Sequence, residues 1–283
     1  MPGRRIDLHT HSTASDGTTP PDVLVRAARE AGLDVLALTD HDTTGGWAAA
    51  EAALPDGLAL VRGAEISCIS GTISLHLLAY LFDPEEPVLA AALRELQDSR
   101  TTRAERMARM LEADGTGVTW DRVRTIAGGT VGRPHVAQAL VEQGHVATVS
   151  DAFTPDWIGT NGRYWVDKVE IEVLDAVRMV AGAGGVSVFA HPLATVRGRT
   201  VDDQVVRDMA AAGLSGLEVD HVDHSPQERQ HLLALAGELD LLTTGSSDFH
   251  GTAKTVRLGA CTTGEAAYER LVAPATGVPV LQA

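Results

Sequence analysis

The chain has 283 residues, 44% of them hydrophobic, and a formal net charge of −15. This charge argues against a broad cationic groove for a long nucleic acid duplex, because such binding neutralises many phosphates. The two cysteines form no C-x-x-C pair, and no apolar run approaches the length of a membrane span or a signal core. We therefore predict a cytoplasmic protein without membrane contact. A small anionic substrate stays compatible with the acidic charge, because bound cations can invert the local field.

Alternating apolar strands and amphipathic helices predict an α/β fold. A strand at 4–8 is followed by a helix that begins at Pro20 and Pro21 and ends before Gly32, in the position that glycine favours after a helix. Further strands are predicted at 34–39, 58–66, 186–190, 215–220 and 240–245, with a hairpin at 68–82. Further helices are predicted at 44–54, 171–183, 202–212 and 226–238. Residues 85–168 show helical patterns without a clear strand and indicate a helical insertion.

Metal-type ligands follow the predicted strands at their carboxyl ends. His9 and His11 are two residues apart, so both rings point to one side of a strand, and Asp16 follows across a polar turn. The other strand ends supply His41, Glu65, His191, Asp248 and His250. In α/β folds this edge carries the active site, and imidazole with carboxylate suits Mn, Fe or Zn. An H-x-H pair alone is weak, but ligands at five strand ends together predict a metal centre.

The motifs H-x-H…D, T-D-H, G-x-E, His76, A-H-P and S-D-x-H resemble the polymerase and histidinol phosphatase (PHP) family, in the family's order and over essentially the whole chain. The chain is most similar to the free-standing bacterial phosphoesterases of that family, which act on nucleotides and on RNA 5′ ends. The resemblance implies a distorted (β/α)7 barrel with an inserted small helical domain. The barrel would comprise residues 1–85 and 169–283, and the helical cap residues 86–168.

The resemblance also implies a trinuclear centre, with three divalent ions per chain. The implied ligand sets are His9, His11, Glu65 and Asp248 for one metal; Glu65, His76 and His191 for a second, with Glu65 bridging; and Asp16, His41 and His250 for the third. As a ligand of the metal centre, Asp248 would have a catalytic role. A hydroxide between two such cations would attack phosphorus. Asp40 and Asp42 either orient His41 or serve the turn beside it.

Five further residues are predicted to face the substrate: Arg133, His135, Lys168, Arg197 and His221. Arg133 and His135 lie where a helix begins, which is a good phosphate receptor, although a helix cap and a surface arginine would give the same pattern. His221 would contact the phosphate or protonate the leaving oxygen, unless it lies in a solvated loop. The arginines of the helix at 94–109 are predicted to face solvent and pair with nearby glutamates.

These features predict a metal-dependent phosphoesterase that removes phosphate from small nucleotides, for example nucleoside 3′,5′-bisphosphates. The alternative is a 5′→3′ exoribonuclease that uses the same site on short 5′-phosphorylated RNA. Histidinol-phosphate phosphatase activity is a weaker alternative. A non-catalytic metal-binding module, like the PHP domains that only support a polymerase, is another. The oligomeric state is left open.

Overall fold

The computed structural model of the chain describes residues 3–283. The strands are β1 (Ile6–Asp7), β2 (Val35–Leu38), β3 (Ala59–Ser70), β4 (Ile73–Tyr80), β5 (Ile171–Glu172), β6 (Val186–Phe189), β7 (Gly216–Asp220), β8 (Leu242–Gly245) and β9 (Leu281–Gln282). The helices are α1 (Pro21–Glu30), α2 (Trp47–Ala52), α3 (Pro87–Ala113), α4 (Trp120–Ala127), α5 (Arg133–Glu142), α6 (Val173–Gly182), α7 (Asp203–Ala212), α8 (Pro226–Glu238) and α9 (Glu265–Val272). Of these, β5, α9 and β9 were not predicted from the sequence, and residues 171–172 were predicted to begin a helix.

Seven strands form a nearly closed barrel in the order β1-β2-β3-β4-β6-β7-β8. Strand β4 runs antiparallel to both of its neighbours, and the other pairs along this path are parallel. The chain segments that follow β1 and β8 close the barrel, because the His11 amide donates a hydrogen bond of 2.9 Å to the carbonyl of Phe249. The predicted α/β fold with a distorted seven-stranded barrel is confirmed.

The barrel strands are apolar on both faces, as parallel strands covered by helices require. In β2, Leu36 and Leu38 pack in the outer layer against helices, whereas Val35 and Ala37 belong to the inner cluster. Side chains alternate in this way along every strand of a barrel. A polar side chain at an inner position near the carboxyl end of a strand is therefore directed towards a shared centre.

Strand β3 is longer than predicted. The sequence indicated a strand at 58–66 and a separate hairpin at 68–82, but one continuous strand runs to Ser70 and turns at Gly71, where φ is 59°. Residues 66–70 contain no glycine, proline, asparagine or aspartate, so the strand continues until Gly71 permits a turn. The antiparallel register pairs Ser67 with His76, so that Glu65 on β3 and His76 on β4 point to the same inner face.

The segment between β4 and β5 forms three helices, α3 to α5. The first half of α3 packs on the outer layer of the barrel through Leu89, Leu93 and Leu96. Its second half joins α4, α5 and the segment up to Val166 in a separate apolar core. The division of the chain at residues 86 and 168 stays a prediction. Although α3 has 27 residues, neither it nor any other helix within residues 3–283 is apolar enough to cross a membrane.

Candidate metal centre

The nine predicted metal ligands lie together at one end of the barrel. They are supplied by the segments that follow β1, β2, β6 and β8 and by the paired strands β3 and β4. Most are buried: His9 and His11 have no exposed surface, and Glu65 and Asp248 are 1% and 2% exposed. Ionisable groups are rarely buried at this density unless they are paired or bind a cation.

Glu65 lies at the centre of the cluster, between two groups of histidines. Its carboxylate oxygens lie within hydrogen-bonding distance of five imidazole nitrogens. Oε2 is 3.1 Å from Nε2 of His9, 3.1 Å from Nε2 of His11 and 3.2 Å from Nδ1 of His41. Oε1 is 2.7 Å from Nδ1 of His76 and 3.0 Å from Nε2 of His191. Two oxygens that face different histidines fit a carboxylate that bridges two ions.

Asp16 and Asp248 flank the same cluster on different sides. Asp248 Oδ1 is 3.4 Å from Nε2 of His11 and 3.3 Å from Nδ1 of His250. Asp16 Oδ1 is 3.4 Å from Nε2 of His250, and Asp16 Oδ2 is 3.6 Å from Nε2 of His41. His11 stands between the two carboxylates, because its Nδ1 is 3.7 Å from Asp16. The structure thus brings both aspartates to the histidines predicted for them.

Three groups of these residues have ligand atoms within 4.8 Å of one another: His9, His11 and Asp248; His41, Glu65 and His76; and His11, Asp16, His41 and His250. The second group contains His41 where the prediction placed His191, although His191 also contacts Glu65. The geometry supports binding of divalent metal ions by this cluster. The assignment of each ligand to one of three ions stays a prediction.

Unpaired nitrogens in the cluster provide a test of whether the residues fit metal ions. Within residues 3–283, Nδ1 of His11, of His41 and of His76 is buried without a hydrogen-bond partner, although carboxylate oxygens lie 3.7, 3.2 and 2.7 Å away, respectively. Buried polar atoms are nearly always hydrogen-bonded, so unpaired ones require an explanation. Coordination to a cation would satisfy these lone pairs, and a set of nitrogen and oxygen donors without sulfur suits Mn, Fe or Zn.

The electrostatics of the cluster favour positive charge at its centre. Burial disfavours a charged His11, yet the adjacent Asp248 and Glu65 carboxylates raise its pKa to about 9. Burial opposes ionisation of Glu65 as well, but His41 and His76 hold its pKa well below the usual range. His191 has its pKa lowered to about 3, first by burial and then by Arg197. The carboxylates that raise the pKa of His11 would also favour a divalent cation beside that ring.

Glu218, which was not predicted from the sequence, has a buried carboxylate behind the predicted metal ligands. It accepts hydrogen bonds from Nδ1 of His9 at 3.0 Å, from the backbone amide of His191 at 2.7 Å and from the hydroxyl of Ser246. The bond to His9 Nδ1 leaves Nε2 of that ring free for a metal, which is how carboxylates orient ligating histidines. Its neighbours Leu217 and Val219 point to the outer layer. The sequence did contain a signal for Glu218, because it is an acidic residue at an inward-facing position of an otherwise apolar strand.

The backbone at two of the predicted ligands is strained. His191 and Asp248 have φ values of 32° and 52°, in or near the left-handed region that residues other than glycine rarely adopt. The bond from the His191 amide to Glu218 helps to hold this conformation. Such strain persists only where the surrounding structure enforces it, and it concentrates at functional sites.

Neither Asp40 nor Asp42 forms a hydrogen bond or a salt bridge with the ring of His41. Asp40 accepts hydrogen bonds from the amide and hydroxyl of Ser12 and from the hydroxyl of Ser15, so it holds the loop that carries Asp16. Asp42 accepts from the amide and hydroxyl of Ser67 and forms a salt bridge with Arg100. Of the two alternatives for these residues, the structure therefore favours loop and turn stabilisation.

A cavity of about 170 Å³ opens between the metal-ligand cluster and the helical insertion. It is lined by Asp16, His41, His76, Arg100, Arg103, Gly132, Arg133, Pro134, Phe153 and Lys168. The prediction that the arginines of 94–109 face solvent is wrong for Arg100 and Arg103. Arg100 reaches Asp42 on the barrel, and Arg103 is 5% exposed and donates to the carbonyl of Val166.

Cationic side chains outnumber anionic ones in the lining of this cavity, which includes Arg100, Arg103, Arg133 and Lys168 but only one carboxylate, that of Asp16. Arg133 and Arg103 form no salt bridge within the described residues, whereas Lys168 lies 3.1 Å from Glu170. Burial, and after it the neighbouring arginines, lower the pKa of Lys168 to about 8, of Arg133 to about 10 and of Arg103 to about 9. Cations that depress one another's pKa favour binding of an anion between them.

The other three predicted substrate residues, His135, Arg197 and His221, are not part of the lining of this cavity. His135 caps α5, because its Nδ1 accepts from the amide of Gly132, and it does not line the cavity. His221 is fully buried with Nε2 3.5 Å from Asp248 Oδ2, so the solvated-loop alternative is wrong. Arg197 binds the same Asp248 oxygen at 2.6 Å, as does Lys254 at 2.7 Å, a residue that the sequence analysis missed. Contact of His135, Arg197 or His221 with substrate stays a prediction.

Comparison with known proteins assigns the family. A model of the PHP domain matches residues 7–113. The chain is 38% identical over 253 residues to a 3′,5′-nucleoside bisphosphate phosphatase of Chromobacterium violaceum, covering 87% of both chains. The chain belongs to the PHP family. A second relative, a 5′-3′ exoribonuclease of Haemophilus influenzae, is 34% identical over 258 residues, covering 90% of this chain and 93% of the relative.

The PHP assignment extends to the three-dimensional structure. A crystal structure of a protein from Bifidobacterium adolescentis, described provisionally as a metal-dependent phosphoesterase, superposes with a TM-score of 0.91 at 36% identity. The match covers 97% of this chain and 98% of that protein, so it includes the helical insertion as well as the barrel. The PHP resemblance drawn from the sequence motifs is confirmed.

Proposed function

We propose that the protein is a metal-dependent phosphoesterase that hydrolyses phosphate monoesters of small nucleotides, with nucleoside 3′,5′-bisphosphates as the substrate class. The observation that carries this proposal is the shared cavity, in which metal ligands lie opposite four cationic side chains. The similarity to a 3′,5′-nucleoside bisphosphate phosphatase over 87% of the chain supports the same substrate class.

The nine clustered residues would hold the ions, for which we propose three per chain, with manganese, iron and zinc as candidates. Bound divalent cations supply a water of lowered pKa and charge stabilisation for phosphoryl oxygens. Arg133 and Lys168 would bind the phosphate from the side of the insertion. Both side chains are positively charged and carry only hydrogen-bond donors, which suit the oxygens of a phosphate. Arg100 would hold the cavity wall in place through its salt bridge to Asp42.

Phosphate release from adenosine 3′,5′-bisphosphate tests the proposal. Wild-type protein loaded with Mn²⁺ is compared with the Asp248→Ala variant, which removes a predicted ligand, and with wild type treated with a chelator. We expect phosphate release by the wild type alone. Equal release by all three samples, or none by the wild type across a panel of nucleotides, would contradict the proposed activity.

The pKa of Lys168 predicts a pH dependence of substrate capture. Lysine is charged below its pKa and neutral above it, so kcat/KM should fall as the pH rises through about 8. In a Lys168→Arg variant this fall should disappear, because arginine keeps its charge throughout that range. The measurement is the pH profile of kcat/KM for both proteins. An unchanged descending limb in the arginine variant would assign the titration to another group.

The exoribonuclease alternative is favoured by the relative from Haemophilus influenzae. Both activities would use the same metal ligands, so they differ in the substrate that the cavity accepts. A 5′-phosphorylated, labelled oligoribonucleotide separates them, because an exoribonuclease produces a ladder of shortened products and a phosphatase leaves the chain length unchanged. The net charge of −15 favours the short substrates of either activity.

A further inference from the structure

Phe153 differs from the other exposed apolar side chains of the protein. Eight large hydrophobic side chains within residues 3–283 are markedly exposed, and Phe153, at 37%, is the only aromatic one among them. It is also the only one that lines the cavity of the metal centre. Exposed single hydrophobic residues are common, but an exposed ring at the edge of a cationic cavity has a specific use if the ligand carries a flat aromatic group.

The ring of Phe153 is anchored in a stack of aromatic and cationic groups. The guanidinium of Arg133 lies 5.1 Å from the centre of the Phe153 ring and 5.2 Å from the ring of Trp165. Phe153 follows a short 3-10 helix (Ser150–Ala152), and Ala152 is fully buried in the core of the insertion. One residue, Arg133, therefore contacts the aromatic platform and faces the cavity where phosphate is proposed to bind.

The size of the cavity indicates where the remainder of a nucleotide would lie. At about 170 Å³ the cavity is smaller than the roughly 300 Å³ or more that usually encloses a small organic ligand. It can enclose phosphate groups, which its cationic walls favour, but the rest of a nucleotide would extend to the rim. Phe153 offers an aromatic surface at that place.

We propose that Phe153 is the base-stacking residue of the site and that it selects nucleotides over phosphorylated sugars without a base. This inference rests on the proposed function and specifies the substrate further. Stacking on an aromatic side chain tolerates different bases, so the site would accept purine and pyrimidine nucleotides alike. The contribution belongs to binding, because the base is remote from the reacting phosphorus.

The test compares two substrates in three variants. For adenosine 3′,5′-bisphosphate, Phe153→Ala and Phe153→Leu should raise KM roughly 5- to 100-fold with little change in kcat, whereas Phe153→Trp should keep a KM near that of the wild type. For the base-less 1-deoxyribose 3,5-bisphosphate, all variants should match the wild type. Leucine fills much of the volume of phenylalanine, so a purely structural role would be preserved in that variant.

Calorimetric binding of both compounds, measured with each Phe153 variant in the Asp248→Ala background, which is expected to release no phosphate, makes the result independent of turnover. If the protein with Phe153 binds the nucleotide more tightly than the base-less compound, and if Phe153→Trp alone among the variants retains this preference, the stacking role is supported. Equal losses for both compounds, or no loss in Phe153→Leu, would overturn it. Absence of phosphate release by the wild type would overturn the proposed function instead, and the binding data would still decide the role of Phe153.

Discussion

Replacing Glu65 by glutamine is expected to lower kcat/KM on the order of a thousandfold, which corresponds to about 4 kcal/mol of transition-state stabilisation. Glu65 contacts five histidines of the cluster, and each of its oxygens faces a different group of them. Glutamine has nearly the same shape but offers one acceptor oxygen and a donor amide in place of two anionic oxygens. If Glu65 bridges two ions as predicted, the amide would weaken both of the sites that share it.

The same variant should bind fewer metal ions than the wild type, and this is measured by elemental analysis after dialysis against Mn²⁺. We expect metal to be retained only around Asp16, His41 and His250, which do not depend on the Glu65 carboxylate in the predicted ligand sets. Glu172→Gln is the matched control, because Glu172 is an exposed glutamate on β5, which pairs with the end of β3. Full metal content and activity in Glu65→Gln would contradict the central position assigned to this carboxylate.

The Glu218→Gln variant is expected to bind metal roughly 10- to 100-fold more weakly than the wild type, the usual effect of losing a partner that orients a ligating histidine. The Glu218 carboxylate accepts hydrogen bonds from the His9 ring, the Ser246 hydroxyl and the backbone amide of His191, and it donates none. The amide nitrogen of glutamine would meet one of these donors. If it faced His9, the ring would have to place its proton on Nε2, which could then no longer bind a metal.

Titration of Mn²⁺ into the metal-free proteins measures this effect without reference to catalysis. Ser246→Ala is the control, because it removes one donor to Glu218 and leaves the bond to His9 intact. We expect the alanine variant to keep an affinity within a few-fold of the wild type. If Glu218→Gln bound manganese as tightly as the wild type, the hydrogen bond to His9 would have no role in the metal centre.

The sequence was informative about the barrel and its ligands because both obey local rules. Buried strands read as continuous apolar runs, and residues such as His41 and His191 follow them directly, so their position at one edge of the sheet could be inferred. The helix α8 was predicted with its observed bounds, and in the structure Ser225 caps its start and Pro226 is its first residue.

The contacts that the sequence could not predict join segments that are far apart in the chain. Arg100 lies on a polar helix whose pattern resembles a solvated surface, yet it pairs with Asp42, 58 positions earlier. Periodicity shows which residues share a helix face but not which element packs against that face. Lys254 was missed for a different reason. It lies only 6 positions after Asp248, and its contact depends on the path of the short segment between them, which includes a 3-10 helix (Gly251–Ala253).

The most direct test of the metal centre is a crystal structure of the protein grown with Mn²⁺ and inorganic phosphate, with anomalous diffraction recorded to locate the metal. We expect manganese peaks within the nine-residue cluster, with ions on both oxygens of Glu65, and phosphate between this cluster and Arg133. Peaks confined to surface carboxylates, with none in the cluster, would contradict it.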